Sequence, residues 1–351
     1  MHDQIHLDLD CIIFGLQRFG GISSYWAKLV EHVSCSPHLS CELTLPRMVM
    51  YRDFDEAWTQ SASVSHERLT ARVSRYLPAR VSDDARIFHT SYYRLPERHV
   101  DRYVVSAYDF TYERYRTGLA RLAHTTQKLA SIRRADAVLC ISDSTRRDII
   151  EFCPAIDHTR LHVVHLGVDR DAFFPDRASP SGPENSVLFV GQRGGYKRFD
   201  LAVEALRRSP RLSLGIVGPP LVPGERAILQ RALGSRWVEH GPVSTPQLRR
   251  LYSSAFAFVF PSDYEGFGLP VLEAMACGCP VVAAGRSSLP EVGGAAALYA
   301  GQQAPEDYAA ALESLDSTTR RAEAIRAGLE RIEAFEWAQT MERTVAIYSQ
   351  R

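Results

Sequence analysis

The chain has 351 residues, 45% apolar and 23% charged, with 41 basic and 41 acidic side chains and no net charge. That composition suits two ordinary globular domains and excludes a disordered, collagen-like or coiled-coil chain. Zero net charge provides no global field for a polyanion, so nucleic acid is not an expected partner.

Lysine occurs only at Lys28, Lys128 and Lys197, and arginine supplies the rest of the 41 cations. The seven cysteines (Cys11, Cys35, Cys41, Cys140, Cys153, Cys277, Cys279) form no CxxC and no metal spacing with histidine. A reduced, cytoplasmic protein is expected. Asp3, Asp8 and Asp10 interrupt the start, so no signal segment is read there. No apolar run reaches the roughly 18 residues of a membrane span.

In chain order, a strand is expected over 6–14, then the turn Gly20-Gly21 and a helix from Ile22. Further strands are expected at 85–88, 102–107 and 137–140, each followed by helical text. Such alternation predicts a parallel sheet covered on both faces. The stretch 167–186, with Pro175, Pro180, Gly182 and Pro183, reads as a linker. Beyond it, strands are expected at 186–190, 212–217, 238–240, 255–260 and 281–283. Helices are expected at 199–207, 224–233, 245–253 and 270–276, with 318–350 helical to the end.

The most informative string runs Phe260-Pro-Ser-Asp-Tyr-Glu-Gly-Phe-Gly-Leu-Pro-Val-Leu-Glu-Ala-Met-Ala-Cys-Gly-Cys-Pro280. A strand ends at Phe260, and Pro270 suits a first helical position. Gly278 and Pro280 suit the helix end. The N–H groups of Gly266, Phe267, Gly268 and Leu269 would then lie free at a helix start, which binds phosphate. Glu265 is placed in the loop and Glu273 in the first helical turn. The loop carboxylate can reach sugar hydroxyls, and the helical one a ribose diol. Earlier, Gly191-Gln-Arg-Gly-Gly-Tyr-Lys197 follows a strand. Arg193 and Lys197 there can neutralise a diphosphate leaving group.

Together these residues resemble the GT-B glycosyltransferases of family 4, the glycosyl transferases group 1. Glu265 and Glu273 match the E-x7-E pattern, and Arg193 and Lys197 the phosphate-binding pair. His240-Gly241-Pro242-Val243-Ser244 resembles the loop that holds the base, and Ser287-Ser-Leu-Pro-Glu-Val292 continues the pattern. Gly20-Gly21-Ile22-Ser23 resembles the first glycine-rich loop, although a tight turn alone would read the same.

The resemblance implies two Rossmann-like α/β domains facing across a cleft. They would be an acceptor-binding domain over 1–170 and a donor-binding domain over 171–334. A helix over 335–351 would cross back to the first domain. It implies a retaining hexosyltransferase that needs neither metal nor cofactor. The donor would be a nucleoside-diphosphate sugar, with GDP-mannose or a related GDP-sugar ranked ahead of UDP- and dTDP-sugars. The acceptor would be a glycan or lipid-linked glycan, as in bacterial O-antigen, capsule or exopolysaccharide assembly. Gly21, Gly191, Val243 and Gly266–Leu269 would contact the donor, with Glu265 and Glu273.

On the acceptor side many members carry His before Asp, and here Tyr108 precedes Asp109. Asp109 is a candidate to hydrogen-bond the acceptor hydroxyl, and His89 is the nearest substitute histidine, weighed against a structural role. Ile141-Ser142-Asp143-Ser144-Thr145 reads mainly as a helix start with capping chemistry. Asp8 and Asp10 spell a DxD on a strand and are not assigned a metal. The five arginines from Arg68 to Arg86, with Tyr76 and Leu77, read first as a solvated face. Contact with an anionic membrane, at the inner face of the cytoplasmic membrane, is the other reading.

Three rivals stand beside this one. They are a sugar-nucleotide epimerase of the same architecture, a non-catalytic nucleotide-sugar-binding subunit, and a nicotinamide oxidoreductase. The last would want G-x-G-x-x-G, and Gly15, Gly20 and Gly21 do not fit that spacing.

Overall fold

The computed structural model describes residues 5–18, 20–51, 54–59, 62–176 and 185–350. Asp3 and the linker residues Pro180, Gly182 and Pro183 lie outside the described residues. The chain forms two compact units, one of residues 1–166 with 337–351, the other of residues 167–336.

The first unit carries β1 (Ile5–Asp10), α1 (Gly21–Ser34), β2 (Leu39–Leu45), β3 (Ser63–His66), α2 (Ala71–Ser74) and β4 (Ile87–Thr90). Next come β5 (Arg102–Ala107), α3 (Thr111–Tyr115), α4 (Gly118–Arg134), β6 (Ala137–Cys140), α5 (Asp143–Phe152) and β7 (Leu161–Val163). The strands form one sheet in the order β3-β2-β1-β4-β5-β6-β7, and each recorded pair is parallel. Residues of β4 and β6 are buried throughout, as expected of strands covered on both faces.

The second unit carries β8 (Ser186–Val190), α6 (Phe199–Arg208), β9 (Ser213–Val217), α7 (Pro223–Leu233), β10 (Trp237–Gly241), α8 (Thr245–Ser254) and β11 (Ala257–Phe260). Then follow α9 (Leu269–Ala276), β12 (Val281–Ala284), α10 (Leu289–Gly293), β13 (Leu298–Ala300), α11 (Pro305–Ser314) and α12 (Thr318–Arg331). Its parallel sheet runs β10-β9-β8-β11-β12-β13. Phe189, Leu206, Ile216, Val259 and Tyr308 belong to the core packed on it. The last helix, α13 (Trp337–Tyr348), belongs to the first unit, where Tyr25 and Thr344 hydroxyls lie 3.3 Å apart.

Each sheet reverses its order of strand addition once, between β1 and β4 and between β8 and β11. Open α/β sheets bind ligands at the carboxyl ends of the strands flanking such a point.

Two expectations are corrected. The first strand stops at Asp10, and Ile12–Gly15 is a 3-10 turn. Cys11 N–H still reaches Thr44 O at 2.9 Å, but Ile13 N–H turns to Ser91 Oγ at 3.1 Å. The helical end of the chain is two helices, separated by a 3-10 turn at Ile332–Ala334.

Candidate active site

The loops after β8 and β11 flank the reversal point of the second sheet. Gly191 leaves β8 at φ 126°, donating its N–H to Val217 O at 2.9 Å. Lys197 ends a 3-10 turn, and its Nζ donates to Glu265 Oε1 at 2.6 Å. The lysine head lies 5.5 Å from the centre of the Phe260 ring. One cation therefore stands against one loop carboxylate.

Arg193 takes a different partner. Its Nε and Nη2 donate to the two oxygens of Glu225 at 2.9 and 3.1 Å, and Nη2 also reaches Pro220 O at 3.0 Å. Nη1 is buried without a hydrogen-bond partner among the described residues. Arg193 is thus braced by a carboxylate, with one donor left over. Burial pushes the Glu225 carboxyl up, but bonds from Arg193 and the Val222 N–H outweigh it and hold the group below its usual value.

Gly268 opens α9 with φ 112°, a left-handed conformation that favours glycine. A Cβ there would lie 2.8 Å from Leu289 Cδ2. Phe267 is buried and meets Phe335 with ring centres 5.9 Å apart. Ser287 and Ser288 tie the loop down. Their hydroxyls donate to Glu265 O at 2.7 and 2.9 Å, and Ser288 also reaches Phe267 O at 2.6 Å.

Glu273 is not in the first turn of α9, which holds no acidic residue; it is the fifth residue of the helix. It keeps some surface as a residue, but its carboxyl is densely surrounded. Burial raises its pKa to about 7, against a smaller lowering influence of Tyr252. The buried Tyr252 hydroxyl still falls outside hydrogen-bond geometry with any described group. Val243 is half-buried between β10 and α8, and Ser244 caps α8 through Gln247 at 2.9 and 3.0 Å.

In the first unit Gly21 is the first residue of α1. His89 is fully buried, with Nδ1 2.7 Å from Tyr348 Oη and Nε2 2.8 Å from Ser106 Oγ. Burial lowers its pKa to about 3. Both ring nitrogens are taken, so His89 fastens α13 to the sheet and has no nitrogen for an acceptor. Tyr108 is also buried, accepting from Trp26 Nε1 at 2.6 Å.

Asp109 is partly exposed; Oδ1 accepts from Thr111 N–H at 2.8 Å, and its other oxygen has no partner among the described residues. Of the acceptor-side candidates, only Asp109 presents an available group. Asp8 accepts from Ser82 at 2.7 and 2.8 Å, and Asp10 from Arg94 and Thr90 at 2.8 and 2.9 Å. The DxD carboxylates thus have separate partners. Ser142 caps α5, accepting from Thr145 N–H at 2.9 Å.

The glycosyl transferases group 1 profile matches residues 170–330, and the glycosyltransferase family 4 profile matches residues 66–172. The O-antigen chain mannosyltransferase B of Escherichia coli is 30% identical over 287 residues, covering 75% of this chain and 74% of that protein. The chain belongs to this glycosyltransferase family. The family member is also 34% identical to an alpha-maltose-1-phosphate synthase of Mycolicibacterium smegmatis. That match covers 62% of this chain and 64% of the relative, less than two thirds of its length. A sucrose-phosphate synthase of Thermosynechococcus elongatus superposes with a TM-score of 0.78 at 17% identity, covering 98% of each chain. That likeness establishes the GT-B fold of two Rossmann-like domains.

In this family member the sequence alone did not point to Glu225, Tyr252 or the contacts of the serine pair. Glu225 carries a signal of a kind, as an acidic residue in the first turn of α7.

Proposed function

We propose that this glycosyltransferase moves a sugar from a nucleoside-diphosphate sugar to a hydroxyl of a growing glycan, with retention and without a metal or cofactor. The reading is carried by the 2.6 Å Lys197–Glu265 pair beside the start of α9, at the reversal point of the second sheet.

The bond from the sugar's anomeric carbon to the diphosphate breaks, and the electron pair leaves with the diphosphate. Lys197, the spare Nη1 donor of Arg193 and the N–H groups of Gly266–Leu269 stabilise that charge. The acceptor hydroxyl attacks on the face the diphosphate leaves, and a departing phosphate oxygen takes its proton. Glu265 holds sugar hydroxyls, and Glu273 accepts from the ribose diol. Gly191 and Val243 border the nucleotide, Gly21 serves the phosphates, and Asp109 positions the acceptor hydroxyl.

GDP-mannose or a related GDP-sugar ranks ahead of UDP- and dTDP-sugars. The setting is bacterial surface polysaccharide assembly. The similarity to an O-antigen chain mannosyltransferase of Escherichia coli supports mannose as the sugar and this setting.

No described helix is long and apolar enough to cross a membrane. We place the protein at the cytoplasmic face, in peripheral contact with anionic lipid. In support, residues 68–82 and 114–135 contain no Asp or Glu. They expose Leu69, Val73, Tyr76, Leu77, Leu119 and Leu122 beside Arg68, Arg72, Arg80, Arg116 and Arg121.

A thermal-shift panel of UDP, GDP, dTDP, ADP and CMP in EDTA tests the donor site. A diphosphate at 100 times its Kd is expected to add about 2.7 kcal/mol, and at equal concentrations GDP should give the largest shift. The shift should vanish in Lys197→Ala. No shift from any nucleotide overturns the donor assignment. Conversion of the sugar nucleotide without nucleotide release overturns transfer in favour of epimerisation.

A further inference from the structure

The first unit has its own reversal point, between β1 and β4, and a cavity of about 190 Å³ lies beside it. Its wall includes Ile13 and Gln17, just beyond β1, and Tyr92, just beyond β4, together with Met50, Arg72 and Arg75. None of its lining residues is acidic. Gly15 fixes its floor. A Cβ at Gly15 would lie 2.7 Å from both Ala71 Cβ and Pro46 Cβ, so the turn after β1 packs directly on α2.

The two arginines have no carboxylate partner among the described residues. Arg75 Nη2 donates to Tyr92 Oη at 2.8 Å, and its guanidinium lies 4.4 Å from the Tyr92 ring centre and 5.0 Å from that of Tyr76. Tyr92 Oη is in turn 3.1 Å from His124 Nε2. The Arg75 head is therefore aimed by its neighbours, yet its Nε is buried with no hydrogen-bond partner among the described residues. A buried, unsatisfied guanidinium donor is costly unless an acceptor arrives.

We propose that this cavity binds a phosphoryl group carried by the acceptor substrate, with Arg72 and Arg75 as its ligands and Gln17 beside them. This deepens the glycosyl-transfer reading and rests on it, because the phosphate is assigned to the acceptor. The volume holds a phosphoryl group and part of its carrier. The carrier is a lipid or a soluble sugar, and both present the same dianionic oxygens.

The test uses the full chain and removes donor-site phosphate binding first. Inorganic phosphate is titrated into Lys197→Ala and into Lys197→Ala/Arg72→Gln. Arg72 is exposed and makes no hydrogen bond among the described residues, so its loss leaves the fold intact; Arg75→Gln is the second variant. Saturable binding in the first protein, weakened tenfold or more by either arginine change, is expected. Equal binding in all three, or none in the first, overturns the site. The single variant Arg72→Gln keeps its nucleotide thermal shift, so failure of this site is distinguishable from failure of the donor reading.

Two competitors then name the carrier. One is neutral phosphatidylcholine vesicles doped with a polyprenyl monophosphate, with phosphatidylglycerol-doped vesicles of equal charge as control. The other is a hexose 1-phosphate. Displacement of inorganic phosphate by the polyprenyl vesicles alone identifies a lipid-borne acceptor, and by the hexose phosphate a soluble one. Displacement by neither overturns the assignment to an acceptor.

Discussion

Lys197 and Glu265 are both partly buried and held at 2.6 Å. Removing one partner of such a pair strands the other charge, so the loss exceeds what the pair contributes. In the proposed mechanism Lys197 also faces the charge that builds on the diphosphate. Lys197→Ala should cut kcat by about 10²- to 10³-fold, the scale of a lost preorganised donor. Steady-state kinetics check this, and a wild-type kcat removes the lysine from the mechanism. Glu273 behaves differently, because burial sets its proton affinity. Its pKa of about 7 lies above the ordinary 4.5. The folded state therefore keeps a proton that the unfolded chain releases. Stability from this group is present below pH 4.5 and is lost as pH rises to about 7, with a ceiling of about 3 kcal/mol. Glu273→Gln should flatten that slope in urea unfolding between pH 5 and 7.5. A slope as steep as that of the wild type assigns it to other groups.

The element that makes the site is the loop from β11 into α9, and its shape depends on residues over twenty positions away. Ser288 is buried and reaches the carbonyls of Glu265 and Phe267. Ser288→Ala takes one donor from each carbonyl, with Ser287 still reaching Glu265 O, at a cost of about 1–3 kcal/mol. It should lower kcat more than nucleotide affinity, since Glu273 sits within the helix. Urea unfolding and transfer kinetics measure the two effects, and unchanged stability with unchanged kcat would sink this role. The same loop shows what a sequence can reveal. Phe260, Gly268, Pro270 and Gly278 mark the strand end, helix start and helix end directly. The strands β8, β11 and β12 stand out as unbroken apolar runs because helices cover both faces. The short strands β3, β7 and β13 have too few apolar residues to do so. β2 is the exception, since Leu39, Cys41, Leu43 and Leu45 alternate with polar residues. The turn at Ile12–Gly15 reads as strand because an apolar run does not reveal its own geometry. Glu225, Tyr252 and the serine contacts arise from tertiary folding, with no fixed spacing to announce them. His89 shows the converse: a polar residue at a strand end that the fold consumes internally.

At the scale of the whole molecule, zero net charge conceals a local separation of charge. Two segments of the first unit contain no acid, and they touch. Tyr92 links Arg75 to His124 of α4, and Gln127 of the same helix donates to Arg75 O. Within this surface Leu119 and Leu122 are 83% and 63% exposed, one helical turn apart. Attraction to an anionic bilayer would come from the arginines, and retention from the leucines. Burying a leucine at an interface contributes roughly 1.5–3 kcal/mol. Leu119→Glu/Leu122→Glu should therefore reduce binding to phosphatidylglycerol vesicles by about tenfold or more, and salt should weaken the wild type because exposed charges are screened. Neither leucine is placed in the transfer machinery, so turnover of a water-soluble acceptor should stay the same. Vesicle co-sedimentation and kinetics on one protein preparation separate the two effects. If both proteins sediment equally with anionic vesicles, this face is solvated and the acceptor reaches the enzyme without a bilayer.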